Sequence, residues 1–398
     1  MRKICVVTGT RAEYGILSRL MLELKNREDV RLQIIATNMH LSPVYGMTVN
    51  EIENDGFSIE YRVPLPLNDN SARGTVKAMS VAMSGFADAY TELEPDLILI
   101  LGDRYEMLAA ASAAMIFGIP VAHFHGGEIT EGAYDDAIRH AITKLSAYHF
   151  TATEEYRDRV IRMGEEPARV FNIGSLGVDN IRREEFMSLA GFNESLKEIA
   201  ETSALPLEEG FLLVTFHPVT RQPGDEEVQT KALLDALEKI KDRKILFTMP
   251  NSDTGGKRVG DMIRDWVKTH SDRSLCVTSL GRKRYYSALK YCGAVIGNSS
   301  SGLIEAPSFG IPTLNIGDRQ LGRVYGNTVI NCAPDRESIA SALTKALSPD
   351  FTAYCRKSGI NPYAGTDTLE NALRLLTTLP VSRHLPKHFY DYSPNSPI

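Results

Sequence analysis

The sequence lacks most of the features that mark secreted, metal-binding or membrane proteins. It has only 5 cysteines in 398 residues, and no two of them form a Cys-x-x-Cys pair. Scattered cysteines favour reduced thiols over a disulfide framework or a zinc site. No apolar run approaches the length that spans a bilayer, and the N-terminal residues MRKICVVTG lack the layout of a signal peptide. We therefore expect a cytoplasmic protein with no metal, no cofactor and no membrane partner.

The sequence also lacks a strong charge of one sign. It contains 44 Lys and Arg residues against 50 Asp and Glu residues, which gives a net charge of −6, and the two signs are interspersed. Such a chain has no polybasic surface that would attract nucleic acid. We therefore expect no nucleic-acid partner. A small anionic ligand that is recognised locally fits the composition better.

Apolar runs alternate with helical patterns through both halves of the chain, as is typical of parallel sheets with crossover helices. The runs include ICVVTG, DLILILG and PVAHFHG in the first half, and FLLVTFHP, AVIGN and PTLNIG in the second. The length is too great for one ordinary core. We predict an α/β fold of two Rossmann-like domains that face each other across a cleft. The N-terminal domain would comprise residues 1–175 plus 362–398, and the C-terminal domain residues 176–361. The Pro- and Ser-rich tail is expected to be loosely held.

A serine-rich turn follows the apolar strand AVIG and precedes the predicted helix LIEAPSFG. The turn can present hydroxyl and amide donors from Asn298, Ser299, Ser300 and Ser301 at a helix N-terminus, where the macrodipole favours an anion. Simple helix capping is the alternative, but it explains only one of the serines. Glu305 lies outside capping-box spacing and is suited to accept hydrogen bonds from a vicinal diol such as ribose. The pattern predicts a phosphate-plus-ribose site.

A second motif, HFHGGEITEGAYDDAIRH, ends a strand at Glu128 and begins a helix near Asp135. Surface ion pairs at helical i,i+4 spacing account for Asp136 and His140. They do not account for Glu128, which follows two glycines at a strand end. A carboxylate in a partly dry pocket is suited to general acid or base chemistry, and Glu128 is therefore our first catalytic candidate.

Charged residues follow other predicted strands. Asp103 and Arg104 come directly after LILILG. They either pair with each other, or Arg104 binds a diphosphate while Asp103 handles a proton. His217 ends the strand FLLVTFHP and is either a packed polar residue or, opposite a phosphate, an imidazolium that neutralises a departing diphosphate. Arg319 is the matching cation at a later strand end, and the loop that carries Arg11 is unspecific by itself.

Taken together, TGTRAEYG, LGDRYE, HGGE with DDAIRHAITKL, FHPVT, and IGNSSSG with GDRQLGR resemble the hydrolysing UDP-N-acetylglucosamine 2-epimerases of sialic-acid synthesis. The resemblance runs through nearly the whole chain. It implies a GT-B-like fold and a UDP-sugar substrate. It also implies release of N-acetylmannosamine and UDP without a metal, and assembly as a homodimer or homotetramer.

The resemblance further implies a role for each matching residue. The diphosphate would be held by Ser299, Ser300, Arg104, His217 and Arg319, and the ribose by Glu305. The nucleotide site would also include Arg11, Asn251 and backbone atoms around Leu280. The sugar would be faced by Asp103, Glu128, Asp135 and Arg139, with His40 nearby. Gly15 and Ile16 stand where animal members carry Ser and Lys, so sugar contacts from that helix do not carry over.

The mechanism that we expect begins with stabilisation of the departing UDP. Glu128 or Asp103 then removes the C2 proton to give a 2-acetamidoglucal, and water adds at C1 while C2 is reprotonated from the other face. The same residues leave alternatives open. These are a hydrolysing 2-epimerase of a UDP-2,4-diacetamido-trideoxyhexose, a non-hydrolysing UDP-sugar 2-epimerase, a GT-B glycosyltransferase, and a nucleotide-sugar sensor without turnover.

Overall fold

The computed structural model describes residues 1–69, 71–130, 134–202, 205–218, 224–250 and 255–393. The chain divides into two compact units. The first unit comprises Met1–Glu128, Asp135–Asn180 and Tyr363–Ile398, and the second comprises Ile129–Tyr134 and Ile181–Pro362. Each unit is built around one parallel sheet.

The first unit contains, within the described ranges, a seven-stranded sheet of order β3-β2-β1-β4-β5-β6-β7 in which every pair is parallel. Its strands are β1 Arg2–Thr8, β2 Val30–Thr37, β3 Tyr61–Val63, β4 Leu97–Leu101, β5 Val121–Phe124, β6 Tyr148–Thr151 and β7 Val170–Asn172. The strand order reverses direction between β1 and β4. In open α/β sheets, ligands bind beyond the carboxyl ends of strands at such a switch point. The loops that follow β1 and β4 therefore lie where a site is expected.

Helices connect these strands. They are α1 Arg11–Lys25, α2 Val49–Asn54, α3 Ala72–Leu93, α4 Tyr105–Ile116, α5 Asp135–Leu145, α6 Glu154–Arg162, α7 Leu176–Arg182 and α15 Thr368–Thr378. Thr10, Ser71 and Thr153 cap α1, α3 and α6, because each side chain accepts a hydrogen bond from a backbone N–H of the first turn.

The second unit contains a six-stranded parallel sheet of order β10-β9-β8-β11-β12-β13 among its described residues. Its strands are β8 Leu212–Thr215, β9 Ile245–Thr248, β10 Ser274–Val277, β11 Ala294–Gly297, β12 Thr313–Ile316 and β13 Val329–Cys332. Its helices are α8 Leu189–Leu196, α9 Glu226–Leu237, α10 Gly256–Thr269, α11 Gly281–Tyr291, α12 Ser301–Ile304, α13 Arg336–Ala346 and α14 Pro349–Ser358. Here the order reverses between β8 and β11.

The core of each unit lies on both faces of its sheet. In β4 and β8, for example, every residue is buried, as is usual for parallel strands that are covered by helices on both sides. This burial on both faces explains why apolar and polar residues do not alternate along the apolar runs of the sequence. The predicted α/β class with two Rossmann-like sheets is confirmed. Among the described residues, no helix is both long enough and apolar enough to cross a membrane.

The C-terminal segment 380–393 includes most of the tail that the sequence predicted to be loosely held. This segment has little regular secondary structure, yet its backbone is hydrogen-bonded to loops of the first unit. The N–H of His384 donates to the carbonyl of Gly118 at 2.8 Å, and the N–H of Tyr390 donates to the carbonyl of Gly164 at 3.0 Å. Composition alone did not reveal these partners, because they lie far away in the sequence.

Candidate active site

The turn after β1 is a capping box. The Thr10 hydroxyl accepts a hydrogen bond from the Glu13 N–H at 3.3 Å, and the Glu13 carboxylate accepts hydrogen bonds from the N–H groups of Gly9 at 2.7 Å and Thr10 at 3.2 Å. Burial, reinforced by the charge of nearby Glu106, raises the pKa of Glu13 to about 8. Glu13 was not among the predicted site residues. The spacing Thr-x-x-Glu in TRAE was the signal that would have revealed its capping role.

Arg104 pairs with Glu106 and not with its neighbour Asp103. The Arg104 Nε donates to Glu106 Oε1 at 2.7 Å, and the Glu106 side chain is fully buried. Although burial opposes it, the charges of Glu106 and Glu13 raise the pKa of Arg104, which keeps the guanidinium charged. Gly9 is required here, because a Cβ at that position would lie 2.7 Å from Glu106 Oε1. Glu106 is thus a residue of this region that sequence reasoning missed.

Asp103, His125, Glu128 and Arg139 form what we call the acid–arginine cluster. Arg139 donates through Nη2 to the Asp103 carboxylate and through Nη1 to the carbonyl of His125 at 3.1 Å. The same Nη1 lies 3.3 Å from Glu128 Oε2, and His125 Nδ1 lies 2.6 Å from Glu128 Oε1. The structure therefore brings three predicted residues, Asp103, Glu128 and Arg139, into one charged group.

The sequence His-Gly-Gly shapes the backbone that carries Glu128. His125 adopts a φ of +63°, which is strained for a residue with a side chain. Gly127 has a φ of +78°, and a Cβ there would lie 2.5 Å from the carbonyl oxygen of Tyr156. A Cβ on Gly126 would lie 3.1 Å from the His123 ring. The chain thus turns sharply after β5, and this turn brings Glu128 back towards Arg139.

His123 links the end of β4 to α5. Its Nε2 lies 2.8 Å from the carbonyl oxygen of Gly102, and its Nδ1 lies 3.3 Å from the Thr143 hydroxyl. Burial lowers the pKa of His123 to about 3, so the ring is neutral at physiological pH. Since Gly102 precedes Asp103 and Thr143 follows Arg139 by one helical turn, His123 braces both ends of the acid–arginine cluster.

The remaining predicted residues of the first unit lie near these strand ends in less defined roles. Asp135 is the first residue of α5, one turn before Arg139. Arg11 begins α1, and its partly exposed side chain lies 3.7 Å from Glu51. His40 is buried with its Nε2 3.0 Å from the Thr8 hydroxyl, and burial lowers its pKa to about 4. Contact of these residues with a sugar or nucleotide stays a prediction.

In the second unit, Asn298 joins β11 to the loop after β8. Its side chain accepts from the N–H of His217 at 2.7 Å and donates to the carbonyl of His217 at 2.8 Å. Its own carbonyl accepts hydrogen bonds from Arg319 at 3.1 Å and Gln320 at 2.9 Å. Asn298 is fully buried and therefore fixes the relative positions of two predicted diphosphate ligands. Sequence reasoning treated it only as one donor of the turn.

His217 is buried, in agreement with the packed polar alternative, and its role opposite a phosphate stays a prediction. Burial, together with the nearby charge of Arg319, lowers the pKa of His217 well below its ordinary value. The ring is therefore neutral at physiological pH. Arg319 lies beside the turn and contributes a positive charge there.

The serine turn comprises residues 298–302. Gly297, which precedes it, has a φ of +133°, and a Cβ there would lie 1.8 Å from the carbonyl oxygen of Thr215. Ser300 occupies the N-cap position of α12, yet its side chain caps nothing. Ser301 accepts a hydrogen bond from Tyr285 at 2.5 Å, whereas the half-buried hydroxyls of Ser299 and Ser300 have no hydrogen-bond partner among the described residues. Simple capping therefore does not explain the motif.

The helix that follows the turn is shorter than predicted. In place of one helix over LIEAPSFG, α12 ends at Ile304 and a 3₁₀ turn spans Ala306–Phe309. Pro307 explains the break, because it has no N–H and its ring clashes with the carbonyl four residues earlier. A four-residue helix has a weaker dipole than the prediction assumed, so any anion site here depends on the hydroxyl and amide donors themselves.

The other predicted nucleotide residues lie in this unit as well. Glu305 follows α12 and lies near Tyr285 and Tyr286. Burial raises the pKa of both tyrosines, and the negative charge of Glu305 raises it further. Leu280 is 3% exposed and packs in the core as the N-cap of α11. Contact of its backbone with a base stays a prediction. Asn251 lies outside the described residues.

Comparison with known proteins assigns this chain to a family. The UDP-N-acetylglucosamine 2-epimerase family model matches residues 22–377. A "GDP/UDP-N,N'-diacetylbacillosamine 2-epimerase (hydrolyzing)" of Campylobacter jejuni is 39% identical over 88% of each chain. "Polysialic acid biosynthesis protein P7" of Escherichia coli is 38% identical over 98% of each chain. A "UDP-N,N'-diacetylbacillosamine 2-epimerase (hydrolyzing)" of Legionella pneumophila is 36% identical over 96% of this chain and 97% of the relative.

A solved structure shares the fold. The UDP-GlcNAc 2-epimerase of Neisseria meningitidis, in a crystal structure with bound UDP-GlcNAc, superposes with a TM-score of 0.77. The match covers 94% of this chain and 99% of that chain at 16% sequence identity. At that identity the likeness establishes the architecture alone, and it agrees with the predicted GT-B-like class.

Proposed function

Because the chain belongs to the UDP-N-acetylglucosamine 2-epimerase family, we propose that it is a hydrolysing 2-epimerase of a UDP-linked 2,4-diacetamido-trideoxyhexose of the N,N'-diacetylbacillosamine type. The similarity to the Campylobacter and Legionella enzymes of that name carries the proposal. The sequence led us to place UDP-N-acetylglucosamine first and this substrate second. The relatives reverse that order of preference.

The first chemical step is departure of the nucleotide. The C2 hydrogen of the sugar is not activated by a carbonyl, so direct removal would be slow. Loosening of the C1–O bond gives the ring oxocarbenium character, which acidifies C2. In support of this step, the hydroxyls of Ser299 and Ser300 have no hydrogen-bond partner within the described ranges. They follow Asn298, whose carbonyl accepts a hydrogen bond from Arg319. Donors that are fixed before the reaction stabilise developing charge most effectively.

The second step is removal of the C2 proton by a carboxylate. Glu128 and Asp103 are the two candidates, and Arg139 holds both. Asp103 keeps 23% of its side chain exposed, whereas Glu128 keeps 2% and is hydrogen-bonded to His125. Exposure favours direct access for Asp103, and the His125 contact gives Glu128 a route for passing a proton on. Water then adds at C1 and a proton returns to C2 from the opposite face, which yields UDP and the free 2-epimer.

The test is turnover in D₂O. The purified protein is incubated separately with UDP-N,N'-diacetylbacillosamine, its GDP-linked analogue and UDP-N-acetylglucosamine, while nucleotide release and the NMR spectrum of the sugar are followed. We expect free sugar of inverted C2 configuration with deuterium at C2, and the highest kcat/KM for the UDP-diacetamido sugar.

Each other outcome has a distinct meaning. Absence of nucleotide release from all three substrates contradicts the proposal and favours a binding protein. A sugar that is inverted at C2 but remains attached to UDP indicates a non-hydrolysing epimerase. Free sugar without deuterium at C2 excludes the elimination route.

A second candidate function is hydrolytic conversion of UDP-N-acetylglucosamine to N-acetylmannosamine for sialic-acid synthesis. The specific observation in its favour is the similarity to the polysialic acid protein of Escherichia coli, which spans nearly the whole of both chains. The two substrates differ at C4 and C6 of the sugar. A site that hydrogen-bonds a 4-acetamido group discriminates strongly against a sugar that lacks it. The ratio of the two kcat/KM values in the same assay therefore decides. Assembly as a homodimer or homotetramer stays a prediction.

A further inference from the structure

The C-terminal segment 380–393, which we call the C-terminal strap, is seated along the first unit. The Tyr148 hydroxyl donates to the carbonyl of Pro380 at 2.6 Å, and Arg169 donates to the carbonyl of Pro386 at 2.7 Å. Together with the backbone contacts to Gly118 and Gly164, these bonds run the length of the strap. The strap therefore has a defined path over the loops that follow α4 and α6.

Two glycines are fitted to this path. Both have a positive φ, and a Cβ on Gly118 would lie 2.4 Å from the ring of His384. A Cβ on Gly164 would lie 2.4 Å from the ring of Phe389. A side chain at either glycine would therefore collide with the strap, although the His384 and Phe389 side chains themselves are largely exposed.

Lys387 is the residue of the strap that reaches α5. Its Nζ donates to the carbonyls of Ser146 at 2.6 Å, Lys144 at 2.7 Å and Thr143 at 3.3 Å. The last carbonyls of a helix have no partner within the helix, and a cation is favourable at that end of the dipole. Lys387 therefore acts as the C-terminal cap of α5, supplied from a residue more than two hundred positions later.

The same ammonium compensates a buried carboxylate. Lys387 Nζ lies 2.8 Å from Glu165, whose side chain is 2% exposed and also contacts Lys144 at 2.5 Å and His149 at 2.9 Å. Although burial opposes it, the hydrogen bonds from His149 and the two lysines lower the pKa of Glu165 to about 2. Burial lowers the pKa of His149 as well. The negative charge of Glu165 is thus balanced by two ammonium groups, one of them from the strap.

This polar group lies near the acid–arginine cluster, because both are built on β5, β6 and α5. His149 lies opposite His123 in the register of β5 and β6. His123 contacts the Thr143 hydroxyl, and that hydroxyl donates to the carbonyl of Arg139 at 3.1 Å. One end of α5 is therefore held by Lys387, and one turn further back the same helix carries Arg139.

We propose that Lys387 is a positioning residue for the reaction. By capping α5 and neutralising Glu165, it fixes the helix from which Arg139 holds Asp103 and Glu128. None of the described strap residues belongs to the acid–arginine cluster, so the effect is transmitted through α5. The kinetic part of this inference rests on the proposed function, whereas the effect on α5 does not.

The experiment compares Lys387→Met, Lys387→Arg and Glu165→Gln in the full-length chain. Methionine keeps the apolar stem and removes the donors. We expect kcat for the preferred UDP-sugar to fall by roughly 10- to 100-fold, because small displacements of reacting groups have effects of that size. KM should change little, and backbone amide exchange across 135–146 should rise severalfold. Lys387→Arg should recover part of both losses, since a guanidinium retains charge and donors.

The double variant Lys387→Met/Glu165→Gln adds a test of coupling. If the two residues act as one unit, its kcat should not fall below that of Lys387→Met, because residues of one network are not additive. Losses of kcat that are strictly additive in the double variant contradict the inference that the two residues act as one unit. Lys357→Met in α14 is the matched control, since Lys357 is exposed and belongs to the second unit. This variant should leave both turnover and the backbone amide exchange of α5 unchanged.

Several results would overturn the inference. If backbone amide exchange across 135–146 is unchanged in Lys387→Met, Lys387 does not cap α5, whatever the activity of the variant. Raised exchange with wild-type kcat shows that the strap is only structural. If the unmodified protein turns over no nucleotide sugar, the proposed function fails by itself, and amide exchange alone then decides whether the strap fixes α5.

Discussion

The acid–arginine cluster of the first unit and the serine turn of the second handle polar groups in opposite ways. In the cluster, Arg139 contacts two carboxylates and a carbonyl, and Glu128 is buried with partners on both oxygens. In the turn, the hydroxyls of Ser299 and Ser300 have no partner among the described residues. The carboxylates of the cluster are paired within the chain, although His125 Nε2 is buried without a hydrogen-bond partner among the described residues. The turn, by contrast, presents donors that a ligand would use.

The difference indicates which residues serve stability and which serve binding. Breaking a buried ion pair leaves an uncompensated charge and is strongly destabilising, so the cluster is a rigid element as well as a source of carboxylates. Removing an unpartnered hydroxyl takes away nothing that the folded chain uses. Substitutions in the cluster should therefore affect stability as well as turnover, whereas substitutions in the turn should affect ligand binding and leave stability unchanged.

The largest expected effect is the loss of turnover in Glu128→Gln. General acid–base catalysis contributes typically 10²- to 10⁴-fold to a rate, so kcat should fall within about that range. Glutamine keeps the shape and one acceptor, and affinity for UDP should remain unchanged. Nucleotide release and UDP titration measure the two quantities.

Two companion variants interpret that result. Glu92→Gln on α3 is the matched control, because Glu92 is exposed, and it should behave as the unmodified protein. Asp103→Asn tests the other carboxylate. Normal turnover in Glu128→Gln with a large loss in Asp103→Asn would reassign the C2 base to Asp103.

An intermediate effect is expected at the serine turn. Ser300→Ala should weaken UDP binding by about 10-fold or more, because a hydrogen bond to a charged group contributes roughly 1.5–3 kcal/mol. The free energy of unfolding should stay within about 0.5 kcal/mol of the original, as for a surface substitution. Calorimetric titration and chemical denaturation measure these two quantities.

Ser188→Ala is the matched control in the same unit. Ser188 caps α8, and its hydroxyl accepts from the N–H of Gly191 at 3.1 Å. Its loss should reduce the free energy of unfolding by about 1 kcal/mol without affecting UDP binding. If Ser300→Ala behaves like Ser188→Ala, the turn is a simple cap and the phosphate prediction fails.

The contrast between the two regions also explains what the sequence could and could not predict. Apolar runs and the residues at their ends predicted both sheets and placed Asp103, Glu128 and Ser299 at strand ends. Partners were harder to predict. Asp103 and Arg104 are adjacent in the sequence, yet one contacts Arg139 and the other Glu106. Neighbouring residues at a strand end point in different directions, and no local pattern reports the helix that each one meets.

Two further features depended on long-range packing. The sequence left open whether His217 is packed or charged, because its burial and the approach of Arg319 depend on tertiary structure. The role of Lys387 was invisible because its partners lie in a distant helix. The early end of α12, by contrast, was readable from Pro307 in the sequence. The prediction gave the apolar pattern more weight than the proline, although proline inside a helix is strongly unfavourable.

The last expected effect concerns the pH dependence of stability at His40, whose ring is hydrogen-bonded within the chain. Its ring nitrogens lie 3.0 Å from the Thr8 hydroxyl and 2.7 Å from the Thr48 hydroxyl. Burial lowers its pKa from 6.5 to about 4. Between those values the unfolded chain binds a proton that the folded protein does not. The contribution of neutral His40 to stability is therefore fully present above pH 6.5 and is lost as the pH falls towards 4.

In His40→Gln this pH-dependent contribution should disappear. Relative to the unmodified protein, the variant should gain on the order of 2 kcal/mol in free energy of unfolding between pH 7.5 and pH 5, by proton linkage. Denaturant titration at the two pH values measures it, with exposed His388→Gln as the control. Because both proteins share every other titrating group, the difference isolates His40. If the two proteins differ in free energy of unfolding by the same amount at both pH values, folded His40 binds a proton as readily as unfolded His40. His40 would then resemble Ser300, whose polar group is available to a ligand, and not the residues of the cluster that are paired within the chain.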